Sequence, residues 1–147
     1  MYKKMRLCGL FLLTLLVTLS LTACGEKEIP EGTYTPTKVI LADGTEQVYE
    51  DYVVYYLTEE LQMSKDDPLY QSLYDFLHLT YTFGKEGEVS RTIGTYEDQG
   101  SYTREGKTLT LQFNEVTIEG AFDSSSDTVT LKSGDDSGVS VVLSHQD

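Results

Sequence analysis

His78-Leu79-Thr80-Tyr81-Thr82-Phe83-Gly84-Lys85-Glu86-Gly87 is the stretch whose period decides the fold. Leu79, Tyr81 and Phe83 alternate with His78, Thr80 and Thr82, and a glycine-bearing tetrapeptide then turns the chain. Alternation at a period of two puts the apolar side chains on one face of a β-strand. The aromatic and β-branched residues suit a pleated, half-buried surface. Downstream the pattern repeats. Residues 88–93 return from the turn, 94–102 read as a strand interrupted near Gly100, and Arg104-Glu105-Gly106 turns again. Leu109, Leu111 and Phe113 alternate with Thr108, Thr110 and Gln112, and Val116, Ile118, Gly120 and Phe122 continue the alternation. Val129 with Leu131, and then Val139, Val141 and Leu143, follow turns at 124–126 and 134–137.

Upstream, residues 34–41 read as a first strand, with Pro36 demoting its start to an edge or bulge. Ala42-Asp43-Gly44 is a turn, and 45–49 can return as a second strand. Residues 51–77 break the alternation. Asp67-Pro68 is a helix start, with Asp as N-cap and Pro at the first helical position. It predicts a helix over 68–77, with Leu69, Leu73 and Leu77 on one face and Tyr70, Tyr74 and Phe76 beside it. Residues 51–63 carry both signals. Val53-Val54-Tyr55-Tyr56 favours strand by propensity, whereas Tyr49, Tyr52, Tyr56 and Leu57 can share a helical face; the helical reading is adopted. Short strands with frequent turns indicate a β-sandwich or an up-and-down barrel. Closure removes sticky edges, so the expectation is an all-β, antiparallel up-and-down barrel of about eight strands with a short helical insertion.

Composition narrows the function. The 147-residue chain has a formal charge of −13, and residues 24–147 hold 8 Lys and Arg against 24 Asp and Glu, or 8 − 24 = −16. Such a chain does not neutralise phosphates, which excludes nucleic acid as a partner. Anionic lipid is not attracted electrostatically either. The excess negative charge serves solubility, or draws cations and basic peptides.

The N-terminus reads as an address. Lys3, Lys4 and Arg6 precede an uncharged run from Leu7 to Gly25, the pattern of a secretory signal peptide and its helix. Ordinary signal cleavage wants small residues at −3 and −1, but Leu21 occupies −3. An uncleaved membrane helix is the other alternative, since about 20 apolar residues span a bilayer. Thr14, Thr18, Ser20 and Thr22 weaken that reading. Leu21-Thr22-Ala23-Cys24 resembles the lipobox of bacterial lipoproteins. The resemblance implies removal of residues 1–23, a diacylglyceryl group on Cys24, and a domain on the extracytoplasmic face of the cell membrane. Each buried methylene contributes about 0.8 kcal/mol, so two acyl chains hold stably where one does not. Cys24 is then an anchor and not a nucleophile. Cys8 is the only other cysteine, so residues 32–147 must stand on their core without a disulfide. Residues 24–31 are polar and are expected to form the acylated N-terminus and a tether of roughly 25 Å.

The β segments also resemble the lipocalin-like domains of Firmicutes-type lipoproteins. The residues that carry the resemblance are Gly32-Thr33-Tyr34, Leu79 to Phe83 with Gly87, and Gly100-Ser101-Tyr102 through Gly106 to Leu109-Thr110-Leu111. There is no Trp after Gly32 and no basic residue in the final strand, which departs from animal lipocalins. The resemblance implies a lipocalin-like barrel over 32–147 on an exported lipoprotein, and it carries over no catalytic residues; a closed barrel, having no sticky edge, suits a monomer.

The chemistry inventory is short. His78 and His145 are the only histidines, and the chain has no H-E-x-x-H, G-x-S-x-G or phosphate-binding glycine loop. No enzyme and no cofactor are expected; an enzyme of unrecognised class is the remote alternative. Asp123, Ser125 and Asp127, with Asp135 and Asp136, have oxygen-ligand spacing, but the loop lacks the Glu and Gly of an EF-hand, and no metal is expected. The tyrosines say more. Tyr49, Tyr52, Tyr55, Tyr56, Tyr70 and Tyr74 fall in one short stretch. Tyrosine offers area plus a hydroxyl, which suits an apolar-to-wet boundary. Tyr52, Tyr55, Tyr56, Tyr70 and Tyr74 are therefore the candidate binding residues, for a small apolar ligand or an envelope protein. The competing reading is that these rings plug one barrel end as ordinary core. A second functional reading makes the segment the contact face of an interaction or inhibitor module.

Overall fold

The structure is a computed structural model, described here for residues 26–147. Leu21, Thr22, Ala23 and Cys24, with the expected signal-peptide helix, lie outside the described residues. The chain forms β1 (Gly32–Ile40), β2 (Glu46–Val48), α1 (Tyr49–Tyr55) continued by a π-helical turn (Tyr56–Glu60), and α2 (Tyr70–Leu77). Seven more strands follow: β3 (Thr80–Phe83), β4 (Glu88–Ile93), β5 (Tyr96–Glu105), β6 (Thr108–Phe113), β7 (Val116–Asp123), β8 (Thr128–Lys132) and β9 (Ser140–His145). From β3 to β9 each strand pairs antiparallel with the next, and β9 pairs back along β1 from Tyr34↔His145 to Ile40↔Ser140. The result is the expected closed, up-and-down barrel of eight strands, β1 and β3–β9, with two short helices.

Alternation explains the core. Tyr34, Phe83, Val89, Leu109, Leu111, Phe113, Phe122, Val129 and Leu143 point inward and are buried. Pro36 sits where the β1–β9 register shifts, the bulge expected of a strand proline. β5 corrects the reading of a strand interrupted at Gly100, because it runs unbroken from Tyr96 and Gly100 pairs with Val89. A β-carbon at Gly100 would collide with the Gln112 carbonyl and, at 2.6 Å, with the Phe113 ring. This glycine marks a close approach inside the barrel, not a break.

The seam that positions the candidate site lies at β1. Its first residues, Gly32–Tyr34, pair with β3, whereas Lys38–Ile40 pair with β2 on the same edge. The barrel wall therefore opens between β1 and β3, and β2 and the helices fill the opening. Val39, Tyr49, Val53, Leu57 and Tyr70 bury one another there, with Leu73, Tyr74 and Leu77 packed against them. The helical reading of 51–63 holds for Tyr49–Glu60, while α2 begins at Tyr70 rather than Pro68. Asp67 caps a turn ahead of it, its Oδ1 accepting the Leu69 N–H at 2.8 Å. Leu69 is 64% exposed, so the predicted apolar face is rotated: Tyr70, Leu73, Tyr74 and Leu77 pack inward.

Residues 26–31 are not a free tether. Ile29 is 5% exposed and belongs to the barrel core. Lys27 Nζ reaches the Asp127 carboxylate at 2.7 Å, Arg104 donates to the Lys27 carbonyl, and the Tyr34 hydroxyl donates to the Pro30 carbonyl at 3.1 Å. These contacts place the segment across the end formed by the β5–β6 and β7–β8 turns, as a plug. One apolar side chain in a polar run was enough, because the open barrel end offered it a complete apolar surround.

Candidate functional site

The helices, the bulge at Pro36 and the long β8–β9 loop enclose a cavity of about 520 Å³ at the end opposite the plug. Ligand pockets typically hold about 300–1,000 Å³, so this one suits a small organic molecule. Its floor is the barrel core at Tyr81, Leu131 and Leu143, and its walls are Leu79, Ile118, Val139 and Val141. The helices supply Tyr49, Tyr52, Val53, Tyr56 and Leu77, and the rim carries Val116, Thr117, Lys132, Ser133, Gly134, Asp135 and Ser137. The lining is thus mainly apolar and aromatic, with polar groups gathered at the mouth.

Helix geometry sorts the predicted tyrosines. Tyr49, Tyr52, Val53 and Tyr56 are spaced i, i+3, i+4 and i+7, which puts them on one face. Tyr52 and Tyr56 line the cavity with ring centroids 6.3 Å apart and 20° between planes. Tyr55, one step off that face, is 52% exposed and its hydroxyl donates to Glu60 at 3.2 Å. Tyr70 is buried in the helix cluster, and Tyr74 stacks on it at 6.3 Å. Neither Tyr70 nor Tyr74 lines the cavity. The structure therefore brings together Tyr52 and Tyr56 of the five candidates, gives Tyr70 to the core, and leaves Tyr55 outside. Tyr49, not among the five sequence candidates, shares the face and lines the cavity: its hydroxyl donates to the Leu77 carbonyl at 2.5 Å and ties α1 to the end of α2.

A second latch joins the helices. Glu50 accepts from the Tyr74 hydroxyl and lies 2.8 Å from His78 Nε2, while His78 Nδ1 lies 2.8 Å from the Tyr74 carbonyl. The Tyr74 hydroxyl, and then His78, hold the Glu50 carboxyl below its usual range. The same contact pushes the Tyr74 phenol up to about 12. Burial pushes Tyr49 up to about 12 as well.

Electrostatics at the mouth are one-sided. Asp135 Oδ1 accepts from Ser133 Oγ at 2.7 Å, from the Ser137 N–H at 3.1 Å and from the Ser137 hydroxyl, bonds that hold its carboxyl below the usual range. Tyr52 is raised by burial first, and by the charges of Asp135 and Glu60 among the further causes. Lys132, on the rim, is joined to Glu119 at 2.9 Å. The other internal charges sit elsewhere: Arg91 pairs with the 7%-exposed Asp98 at 2.9 Å and lies over the Phe113 ring, and Arg104 lies over Phe122 near the plug.

The hydrophilic turns read for oxygen ligands are locally satisfied. Asp123 accepts from Ser125 Oγ at 2.7 Å, and Asp127 pairs with Lys27. His145 packs at the plug end, with its Nε2 3.0 Å from the Glu31 carbonyl and its ring 5.0 Å from Tyr34. His78 and His145 are thus at opposite ends of the barrel. Among the described residues no group of three or more His, Cys, Asp or Glu side chains could hold a metal ion. Among them, too, no helix is long and apolar enough to cross a membrane.

No family model and no curated protein matches the chain. Among solved structures, a DUF4847 family protein from Bacteroides vulgatus is similar over 80% of this chain and 94% of its own, with 11% identity and a TM-score of 0.46. That likeness concerns fold alone. The closed β-barrel is read from this chain's own strand pairings.

Proposed function

We propose that the protein is a lipid-anchored, non-catalytic lipoprotein whose lipocalin-like barrel binds a small apolar molecule at the extracytoplasmic face of a bacterial membrane. The cavity of about 520 Å³, apolar in its depth and polar at its mouth, is the observation that carries the binding reading. The Leu21-Thr22-Ala23-Cys24 pattern after an uncharged run supports the anchor. Edge closure and the high negative charge support a monomer in this role, with acyl chains on Cys24 as the membrane contact and nucleic acid excluded. Cys24 lies two residues before Glu26, so an anchored chain would hold the plugged end toward the bilayer and the cavity mouth away from it.

Two experiments test the reading. A neutral fluorescent naphthylamine should bind saturably at one site, and Ile118→Trp, which fills the cavity wall, should abolish that binding while the circular dichroism stays unchanged. Retained affinity in the filled variant would sink the ligand reading. For the anchor, Cys24→Ser should release the protein from membranes or leave it unprocessed; unchanged retention with normal processing would refute lipidation. The interaction-module reading keeps one specific support, the exposed Tyr55 and Phe76 on the outer helix surface. It requires that Tyr55→Ala weaken recovery of an envelope partner.

A further inference from the structure

We propose that the ligand of this cavity is an apolar cation, a hydrocarbon or aromatic body carrying a quaternary or protonated amine at the mouth. The inference deepens the binding reading given above and rests on it. Depth and mouth differ in kind. Leu131, Val141 and Leu143 offer no polar partner to a buried head group, and the hydroxyls of Tyr49 and Tyr81 are already engaged by the Leu77 carbonyl and by Arg91, so a polar end of the ligand stays at the rim. There it meets the Tyr52 and Tyr56 rings and the Asp135 carboxylate, all of which line the same cavity. Aromatic faces attract a cation through the ring quadrupole, and they favour neither an anion nor a neutral head in that way.

The Asp135 carboxylate is held by hydrogen bonds within its own loop. Its bonds from Ser133 and Ser137 all fall on Oδ1, and they favour the ionised form. Among the described residues no Lys, Arg or His lies within ion-pair distance of Asp135. Lys132 is the rim residue that would favour an anion, but Glu119 at 2.9 Å offsets its charge. Glu60 adds a second negative charge acting on Tyr52. An anionic head would therefore face Asp135 with no uncompensated cation among the described lining residues to receive it. The excess of acidic residues over the whole chain enriches cations near the surface, and Asp135 gives that general attraction a place.

The test uses three probes that share a phenylbutyl body: the trimethylammonium, the sulfate and the alcohol. The full, acylated chain is placed in nanodiscs of zwitterionic phosphatidylcholine, and affinities are read by saturation-transfer NMR against empty discs. The ammonium should bind about tenfold tighter than the alcohol, and the sulfate weakest. Asp135→Asn should bring the ammonium down to the affinity of the alcohol, and Tyr52→Leu should lower the ammonium more than the alcohol. Asp123→Asn, at the plug end, removes the same overall charge and should change nothing, which separates a site from bulk attraction. Saturable binding of the alcohol as tightly as the ammonium, or tighter binding of the sulfate, overturns the charge inference and leaves the binding reading intact. Failure of all three probes to saturate overturns both. If Asp135→Asn does not fold, Tyr52→Leu decides: an unchanged ratio of ammonium to alcohol affinity is the overturning result.

Discussion

A β-carbon at Gly100 would meet the Phe113 ring at 2.6 Å and also the Gln112 carbonyl on the neighbouring strand, so both a side chain and fixed backbone oppose it. Phe113 is fully buried and the Arg91 guanidinium lies over its ring, 4.6 Å from the centroid, which limits how far the ring can yield. Gly100→Ala should therefore destabilise the barrel by about 3 kcal/mol, in the overpacking range. Thermal unfolding checks it, as a drop of about 10 °C for a domain of this size. Phe113→Leu in the same chain should recover part of the loss, and a midpoint unmoved by Gly100→Ala would show that the strands separate more easily than their contact implies. The residue scale is also where sequence reading separated the tyrosines least well. The shared face of Tyr49, Tyr52 and Tyr56 was legible from spacing alone, and Tyr55 could have been set aside by the same rule. Asp135 was legible only as a turn aspartate, because nothing local says that the β8–β9 loop lines the same cavity as α1.

Among the elements, residues 26–31 differ most between sequence and structure. Their polar composition reads as a linker, yet Ile29 is buried in the barrel core and Lys27 and the Pro30 carbonyl are engaged at each side of it. A free linker predicts that Ile29→Ala leaves stability within about 0.5 kcal/mol, as surface changes do. The plug predicts a loss of about 2 kcal/mol, measured as a shift of the urea midpoint at constant slope. Strands such as β3, β6 and β8 were legible because period-two alternation survives in them. Their closure was expected from the cost of open edges, but the β1–β9 register that achieves it was not legible, since it joins residues a hundred or more positions apart and leaves no local mark. The π-helical turn at Tyr56–Glu60 likewise follows from packing: it carries Leu57 into the helix cluster, where propensity alone left strand and helix in competition.

The whole molecule has two unlike ends, and acid should act on the helical one whereas alkali should act on both. Glu50, at the helical end, has its carboxyl held below the usual range by the Tyr74 hydroxyl and then by His78. A depressed carboxyl contributes stability that is present above its unfolded value, near 4.5, and lost as pH falls through the folded one. Acid should thus loosen α1 from α2, and Glu50→Gln should remove that acid dependence. On the alkaline side the sign reverses. Burial pushes Tyr34 and Tyr49 up to about 12, and the Glu50 contact does the same to Tyr74. A phenol raised in the folded state favours folding fully below about 10. That contribution is lost as pH climbs through about 12. Ultraviolet titration of the phenolate band should then show an early step near 10, the ordinary phenol value. A late step near 12 should follow, coincident with loss of the near-ultraviolet dichroism of the packed rings. Tyr49 donates to the Leu77 carbonyl at the helical end and Tyr34 to the Pro30 carbonyl at the plug, so the late step reports both closures together. Tyr49→Phe should remove one phenolate from it and leave the early step alone, whereas a single transition near 10 in the parent chain would mean that neither end shields its tyrosine.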